Sequence, residues 1–331
     1  MGGRIVPTLY PQSPASFIIK NNGSGKFTDV TMQVCPEIKN IGMVTSALWT
    51  DFNNDGATDL IVTGEWMPVI FFKNDHGILK RLTNNPAIQS ATGWWFSLAA
   101  GDFDKDGDID YIAGNLGLNN KFGVSKSTPL TVYAKDFDGN GTTEPILSYY
   151  LQGKEYTVAS RDQITSVMPA IKKKFDIYNK FAEATFNEIF TNTALLDALV
   201  LRATQMASVY IENKGKDQFV MQPLPLKAQF SAIQAMQVAD YDNDGKLDIL
   251  IAGNFYSPEF MTGRYDASVG LLLKGDGNGS FTPLTPAQSG IHIKGDARSL
   301  ITLPVGNNLR IIAGVNEGKL QVYELNKYKS K

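Results

Sequence analysis

Four nine-residue stretches place oxygen-bearing side chains at one fixed spacing: DFNNDGATD (51–59), DFDKDGDID (102–110), DFDGNGTTE (136–144) and DYDNDGKLD (240–248). Positions 1, 3, 5 and 9 are Asp, Asn or Glu, and position 6 is always Gly. Carboxylates on alternate residues repel one another and make a poor core. Around a hard cation that takes about six to eight oxygens they become a ligand shell. The side chains expected to ligate are Asp51, Asn53, Asp55 and Asp59; Asp102, Asp104, Asp106 and Asp110; Asp136, Asp138, Asn140 and Glu144; and Asp240, Asp242, Asp244 and Asp248. Position 7 would contribute its backbone carbonyl: Ala57, Asp108, Thr142 and Lys246. The side chain of Asp108 is therefore expected to point to solvent. Ca²⁺ suits such sets better than Mg²⁺, which prefers a rigid octahedron with several waters. About four structural Ca²⁺ ions are expected.

The first six positions also open an EF-hand loop, but that motif closes with a bidentate Glu at position 12. Here position 12 is Val62, Ala113, Leu147 or Ile251, all apolar. The acid falls at position 9 instead, and the flanks read as strands rather than helices. Gly56, Gly107, Gly141 and Gly245 are expected at positive φ, where the chain reverses. Asp, Asn and Gly are also ordinary turn formers; four copies in register favour the metal.

Short apolar strands precede the loops (SALWT, FSLAAG, LTVYAK, AMQVA) and follow them (LIVTGE, YIAGN, PILSYY, ILIAGN). Hairpins with Asn/Asp/Gly turns recur at 17–31, 69–83, 208–224 and 270–285. One unit reads as strand, acidic turn, strand, loop, strand, Gly-rich turn, strand, which is a propeller blade. The predicted fold is all-β: a single β-propeller domain over 1–331 with about five to seven four-stranded blades, the first incomplete. The loops start 51, 34 and 104 residues apart. The last interval holds an apolar pattern at three- and four-residue steps, so a helical insert is predicted over about 161–205. Asp162 would cap its first helix and Pro169 would interrupt it. In the final blade the acidic loop has decayed to VGNN (305–308).

Net charge is −2, but fifteen of the 33 acidic residues lie in the four loops, leaving 18 acids against 29 bases elsewhere. The acid is localised where metal would neutralise it, which argues against a nucleic-acid coat. The single Cys35 excludes an intrachain disulfide. No transmembrane stretch and no signal segment is read. The chain is then either not secreted, or an interior piece or mature form of a longer parent that carries further domains.

The loop between two strands, the IAGN strand end and the Asn-Gly-x-Gly-x-Phe hairpin together resemble the FG-GAP/VCBS repeats, the calcium-stabilised propeller repeats of integrin α subunits and many bacterial secreted proteins. MVTSALWTDFNNDGATDLIVTGEWMPV, WWFSLAAGDFDKDGDIDYIAGNLGLN and GRYDASVGLLLKGDGNG are similar to the bacterial group that contains cartilage acidic protein and the ASPIC/UnbV segment. The resemblance implies a cell-surface, periplasmic or secreted location and an adhesion module that binds protein or glycan. Polysaccharide lyases also carry such repeats, so a calcium-dependent carbohydrate-active enzyme is the alternative.

If each loop joins the first two strands of a blade, the second strand exits on the opposite face. The exits GEWMP, GNLGLNN, GNFYSPEF and GVNEG would bring together a rim of Glu65, Trp66, Asn115, Asn119, Asn254, Phe255, Tyr256, Arg264 and Asn316. Aromatic, amide and charged groups together suit a sugar or peptide. Trp94 and Trp95 are read as core. Catalytic chemistry has thin support: His76 and His292 are the only histidines, and no nucleophile motif, phosphate loop or zinc spacing appears.

Overall fold

The computed structural model describes residues 1–256, 263–305 and 308–324, and these are mostly β. A short hairpin comes first, β1 (Ile19–Asn21) with β2 (Phe27–Asp29). The first sheet is an antiparallel meander of β3 (Met43–Thr50), β4 (Asp59–Met67), β5 (Ile70–Asp75) and β6 (Ile78–Arg81); the two-residue β7 (Gly93–Trp94) pairs with the far end of β4. The second sheet opens with β8 (Ser97–Gly101) and β9 (Asp110–Gly114). The chain then leaves it to build a third sheet from β10 (Leu130–Lys135), β11 (Glu144–Leu151) and β12 (Lys154–Thr157), closed on the other edge by β13 (Leu199–Ala203). Only afterwards do β14 (Val209–Asn213) and β15 (Phe219–Pro223) complete the second sheet, with Val209 of β14 opposite Ala113 of β9. The fourth sheet is the meander β16 (Ala235–Ala239), β17 (Asp248–Ala252), β18 (Leu271–Gly275) and β19 (Phe281–Leu284). The fifth is β20 (Ala297–Val305), β21 (Asn308–Val315) and β22 (Gln321–Glu324). Gly306 and Asn307 of the decayed VGNN loop, and Ser257 to Phe260 of the third rim exit, lie outside the described residues.

The inserted segment is larger than the helical pattern suggested. It runs between β9 and β14 and carries the third acidic loop and its sheet. Its helices are short: Arg161–Val167, Pro169–Lys174, Tyr178–Glu183 and Phe186–Ile189. The stretch LVLRA, within the predicted helical span, is strand β13, because the apolar edge of β10 needs a partner: Leu130 pairs with Ala203 and Val132 with Leu201. Ser160, not Asp162, caps the first helix, in a reciprocal box with Gln163. Pro169 does start a new helix, since it can donate no N–H to the preceding turn.

β4, β9 and β17 are buried along their whole length. Each is a central strand with both faces covered, which is why each carries an unbroken apolar stretch (LIV, YIA and ILIA) where an alternating pattern would otherwise stand. The first sheet packs on the second through Phe52, Ile61 and Phe71 against Tyr111, Ile211 and Phe219, with Phe71 stacked on Phe219 at 4.1 Å between ring centroids. Phe103, Ile112 and Tyr210 of the second meet Ile249, Ile251 and Leu273 of the fourth. Leu250 and Leu272 of the fourth meet Leu300 and Ile311 of the fifth. The leading strands β3, β8, β16 and β20 neighbour one another in that order. The third sheet is different: one face (Leu130, Val132, Ala134, Ala203) lies against Trp66, Phe96 and Leu116, and Ile146 on the other lies under the insert helices with Ile164, Phe175 and Phe186. Among the described residues no helix is long and apolar enough to cross a membrane.

Candidate metal centres

Each acidic loop joins the first two strands, in chain order, of its own sheet, and its backbone reverses twice. Gly56, Gly107, Gly141 and Gly245 have φ of 83°, 95°, 85° and 80°, as the turn required. Position 4 is left-handed as well: Asn54, Lys105, Gly139 and Asn243 have φ of 57°, 64°, 76° and 59°. Asn and Gly tolerate that conformation and hinted at it; Lys105 gives no such hint. The two reversals fold the loop over its own side chains. At position 1, Asp51 accepts from the N–H groups of Asp55 and Gly56, Asp136 from those of Asn140 and Gly141, and Asp240 from those of Asp244 and Gly245. At position 3, Asn53, Asp104, Asp138 and Asp242 each accept from the N–H two residues on. At position 5, Asp55, Asp106, Asn140 and Asp244 do the same toward Ala57, Asp108, Thr142 and Lys246. Outside the third loop the oxygens bonded this way keep a free lone pair; in the third, Asp136 Oδ1 accepts from Gly139 and Asn140, and Asn140 Oδ1 accepts from the N–H and hydroxyl of Thr142.

Position 9 does something the sequence did not disclose. One oxygen of Asp59 accepts from Phe52 N at 3.1 Å and the other from Asn74 N, on the third strand of the sheet, at 2.7 Å. Asp110 accepts from Phe103 N at 3.2 Å and Asn213 N at 2.8 Å, and also from the Tyr210 hydroxyl at 2.7 Å. Asp248 accepts from Tyr241 N at 3.1 Å and Gly275 N at 2.9 Å. The three aspartates are buried and latch the loop to the third strand. In the third sheet the latch is shorter: Glu144 accepts from Phe137 N at 2.9 Å and from Thr142 Oγ1 at 3.0 Å, both within its own loop.

Oxygens of Asp102, Asp104 and Asp110 lie within 4.8 Å of one another, as do those of Asp136, Asp138 and Glu144, and those of Asp240, Asp242 and Asp248. Oxygens bound to one Ca²⁺ at about 2.4 Å stand at most about 4.8 Å apart, so the spacing fits that ion. In the first loop Asn53 replaces the position-3 acid, giving two carboxylates and an amide beside Asp55. Burial pushes Asp59 up, and pushes Asp110 and Asp248 up to about 6, with the charges of nearby loop aspartates adding to it. By contrast the N–H of Gly141 holds Asp136 below the usual carboxylate range. Asp102 supplies a direct sign of a missing partner: its Oδ1 is buried without a hydrogen bond. The donor set is all hard oxygen, and the residues fit a bound Ca²⁺.

Three of the loops lie side by side. Asn54 donates to Asp108 Oδ1 at 2.7 Å, joining the first loop to the second. Lys105 of the second loop reaches Gly245 of the fourth, and Gly279 N donates to Phe103 O. Asp108 therefore does not simply face solvent: it is half-buried and ties two loops together.

The expected rim is only partly brought to the surface. Glu65 is buried and paired with Arg4 at 2.5 Å. Trp66, at φ 61°, turns its indole into the cluster under the third sheet and donates to the Tyr10 hydroxyl at 2.8 Å. Asn115 is fully buried: it donates to Gln205 O and accepts from the N–H groups of Trp94 and Leu116. Asn254, also buried, donates to Ser268 O and Gly295 O and accepts from the Ser231 hydroxyl. These two asparagines close the ends of β9 and β17. Phe255 is half-buried between Phe96, Tyr265 and the Arg298 guanidinium. Asn119, Arg264 and Asn316 are exposed, and Arg264 lies 4.8 Å over the ring of Tyr256. Trp95 is fully buried, as expected of core; His76 is exposed beside Asp75 at 2.6 Å.

The FG-GAP-like repeat family matches residues 51–113, a span that runs from the first residue of the first acidic loop to the strand behind the second. This supports a repeat-built, β-rich domain. Among solved structures, the biofilm matrix protein Bap1 of V. cholerae aligns with 10% identity and a TM-score of 0.29, over 92% of this chain and 66% of that one. That likeness is too low to carry an argument, and the chain spans just under two thirds of the other's length. No curated protein matches the chain.

Proposed function

We propose that this chain is a calcium-stabilised β-propeller module of the cell surface, periplasm or secretome, which presents one face to a protein or glycan. In this reading the stacked sheets are blades, and each bound ion fixes the turn between a blade's first two strands. The face-to-face order of the first, second, fourth and fifth sheets supports it, as does the neighbouring of their leading strands. The observation that carries the calcium reading is the buried, unpartnered Oδ1 of Asp102 among the carboxylates of its loop. Loops this shallow suit the affinities of extracellular modules, roughly 10⁻⁴ to 10⁻³ M, and not a cytosolic site. The similarity in motif order to the bacterial cartilage-acidic-protein group belongs to the same proposal.

When bound, Ca²⁺ would supply charge neutralisation and no chemistry. The chain's own residues orient the loop, through the left-handed turns and the position-9 latch. Ligand contact falls to what the third sheet leaves uncovered: Asn119, Tyr256 with Arg264 across it, and Asn316. Calorimetric melting of the full chain in millimolar Ca²⁺ and in excess chelator tests the proposal. A reversible fall in Tm on chelation is expected; a Tm that does not move sinks the calcium reading. A glycan array with the wild type and Arg264→Ala tests the face: hits weakened by the substitution support it, and hits indifferent to it place the contact elsewhere.

A further inference from the structure

The four loops are alike in sequence but not in what stands beside them. One register position makes the difference: the third-strand residue just before the one whose N–H is latched by position 9. In the second sheet the latched residue is Asn213 and the preceding one is Glu212. In the fourth sheet the latched residue is Gly275 and the preceding one is Lys274. The Lys274 ammonium contacts Asp242 Oδ2 and lies 3.1 Å from Asp244 Oδ2. Asp242 belongs to the oxygen cluster of that loop and Asp244 is its position-5 acid. Two further lysines crowd the same loop: Lys246 Nζ is 3.9 Å from Asp244, and Lys105 reaches in beside Gly245. The second loop has the opposite surroundings. It holds Asp102, Asp104, Asp106, Asp108 and Asp110, and the Glu212 carboxylate stands near Asp104, paired with Lys214, which also feels Asp104 and Asp106 without an ion pair to either. The first loop has Lys73 at the equivalent position, but that ammonium is drawn to Asp217 at 3.4 Å, on the hairpin of the next sheet.

We infer that this third-strand position sets which acidic loops depend on an external cation. Lys274 acts as the built-in counter-ion of the 240–248 loop, which therefore holds Ca²⁺ at least about tenfold more weakly than the 102–110 loop, where Glu212 takes the equivalent place and holds Lys214 to itself; site affinity of this kind follows ligand charge and rigidity. A divalent ion entering the fourth loop must displace an ammonium already paired with two of its carboxylates. An ion entering the second loop finds no ammonium in an ion pair with its carboxylates among the described residues: Lys105 turns toward Gly245 and Lys214 is paired with Glu212. The motif is therefore not a count of ions, and sheets with the same loop sequence are held by different means.

The inference rests on the proposal that the loops take Ca²⁺, and the experiment separates the two. Full-length wild type, Lys274→Met and Glu212→Lys are dialysed against a series of buffered Ca²⁺ concentrations, and bound calcium is counted by mass spectrometry, with circular dichroism confirming the fold. Lys274→Met is expected to gain one ion per chain at concentrations where the wild type lacks it, and Lys274→Met/Asp242→Ala is expected to lose that gain. Glu212→Lys is expected to lose one of the tightest ions, and it decides the matter if Lys274→Met does not fold. Unchanged ion counts and affinities in both single variants would overturn the role of Lys274 and Glu212 while leaving the calcium reading in place. Folded protein that binds no calcium in any variant would overturn both.

Discussion

Asp110 and Glu144 occupy the same position of the same nine-residue motif, and they do different work. Asp110 is sealed between the second and fourth sheets, where it holds Phe103 N, Asn213 N and the Tyr210 hydroxyl. Glu144 is half-buried at the end of β11 and bonds only within its own loop. The extra methylene lets the Glu carboxyl curl back onto its own turn. The shorter Asp, in a strand covered on both faces, reaches across to a third strand. A ligand motif that looks uniform is thus a latch of three strands where sheets stack, and a local clip where a sheet stands apart from the stack.

The sharpest way to break this contrast is Asp110→Ala. It leaves two buried N–H groups and a buried hydroxyl without their acceptor, at about 1–3 kcal/mol each, partly offset by removal of a costly buried carboxyl. A net loss of about 3 kcal/mol is expected in a urea titration followed by tryptophan fluorescence, with chelator present so that metal plays no part. A loss below about 1 kcal/mol would mean the latch is incidental. Glu144→Ala should cost less, about 1 kcal/mol, because water replaces Glu144 at a half-exposed site. Its main effect should be faster amide exchange confined to residues 136–144, and spread into the stacked sheets would contradict the contrast. Smallest is Asp108→Ala, which removes one exposed bond between the first and second loops; melting should move by no more than about 0.5 kcal/mol equivalent.

Much of the site could be read directly from the residues. Apolar side chains at position 12 ruled out an EF-hand, and Val62, Ala113 and Ile251 are buried within strands. The hairpins at 69–83, 208–224 and 270–285 are present as β5–β6, β14–β15 and β18–β19. Each of these signals is local: a period, a turn residue, a spacing. What stayed hidden is non-local. Nothing in SVYIENKGKDQFVMQPL says that it pairs with YIAG rather than with the strands nearer in sequence. The clue was the 34-residue interval between the second and third loops, too short to hold a complete four-stranded unit. The rim failed for the same reason, since Trp66 became core only because the inserted sheet lies over it. The position-9 latch was hidden because the backbone groups it holds on the third strand have no residue-type signature.

The interruption of the second sheet also has a consequence in time. Val209 pairs with Ala113, 96 residues earlier. At synthesis rates of about 5–20 residues per second, the apolar strand DYIAG emerges roughly 5–20 seconds before its partner exists. For that interval one edge of β9 is open to any other strand in reach. The β8–β9 turn is the part of the second sheet that can close at once, and a cation caught in DFDKDGDID would hold that hairpin while it waits. The most acidic of the four loops thus sits on the strand that waits longest, where early capture of an ion would do most to keep the growing chain from aggregating.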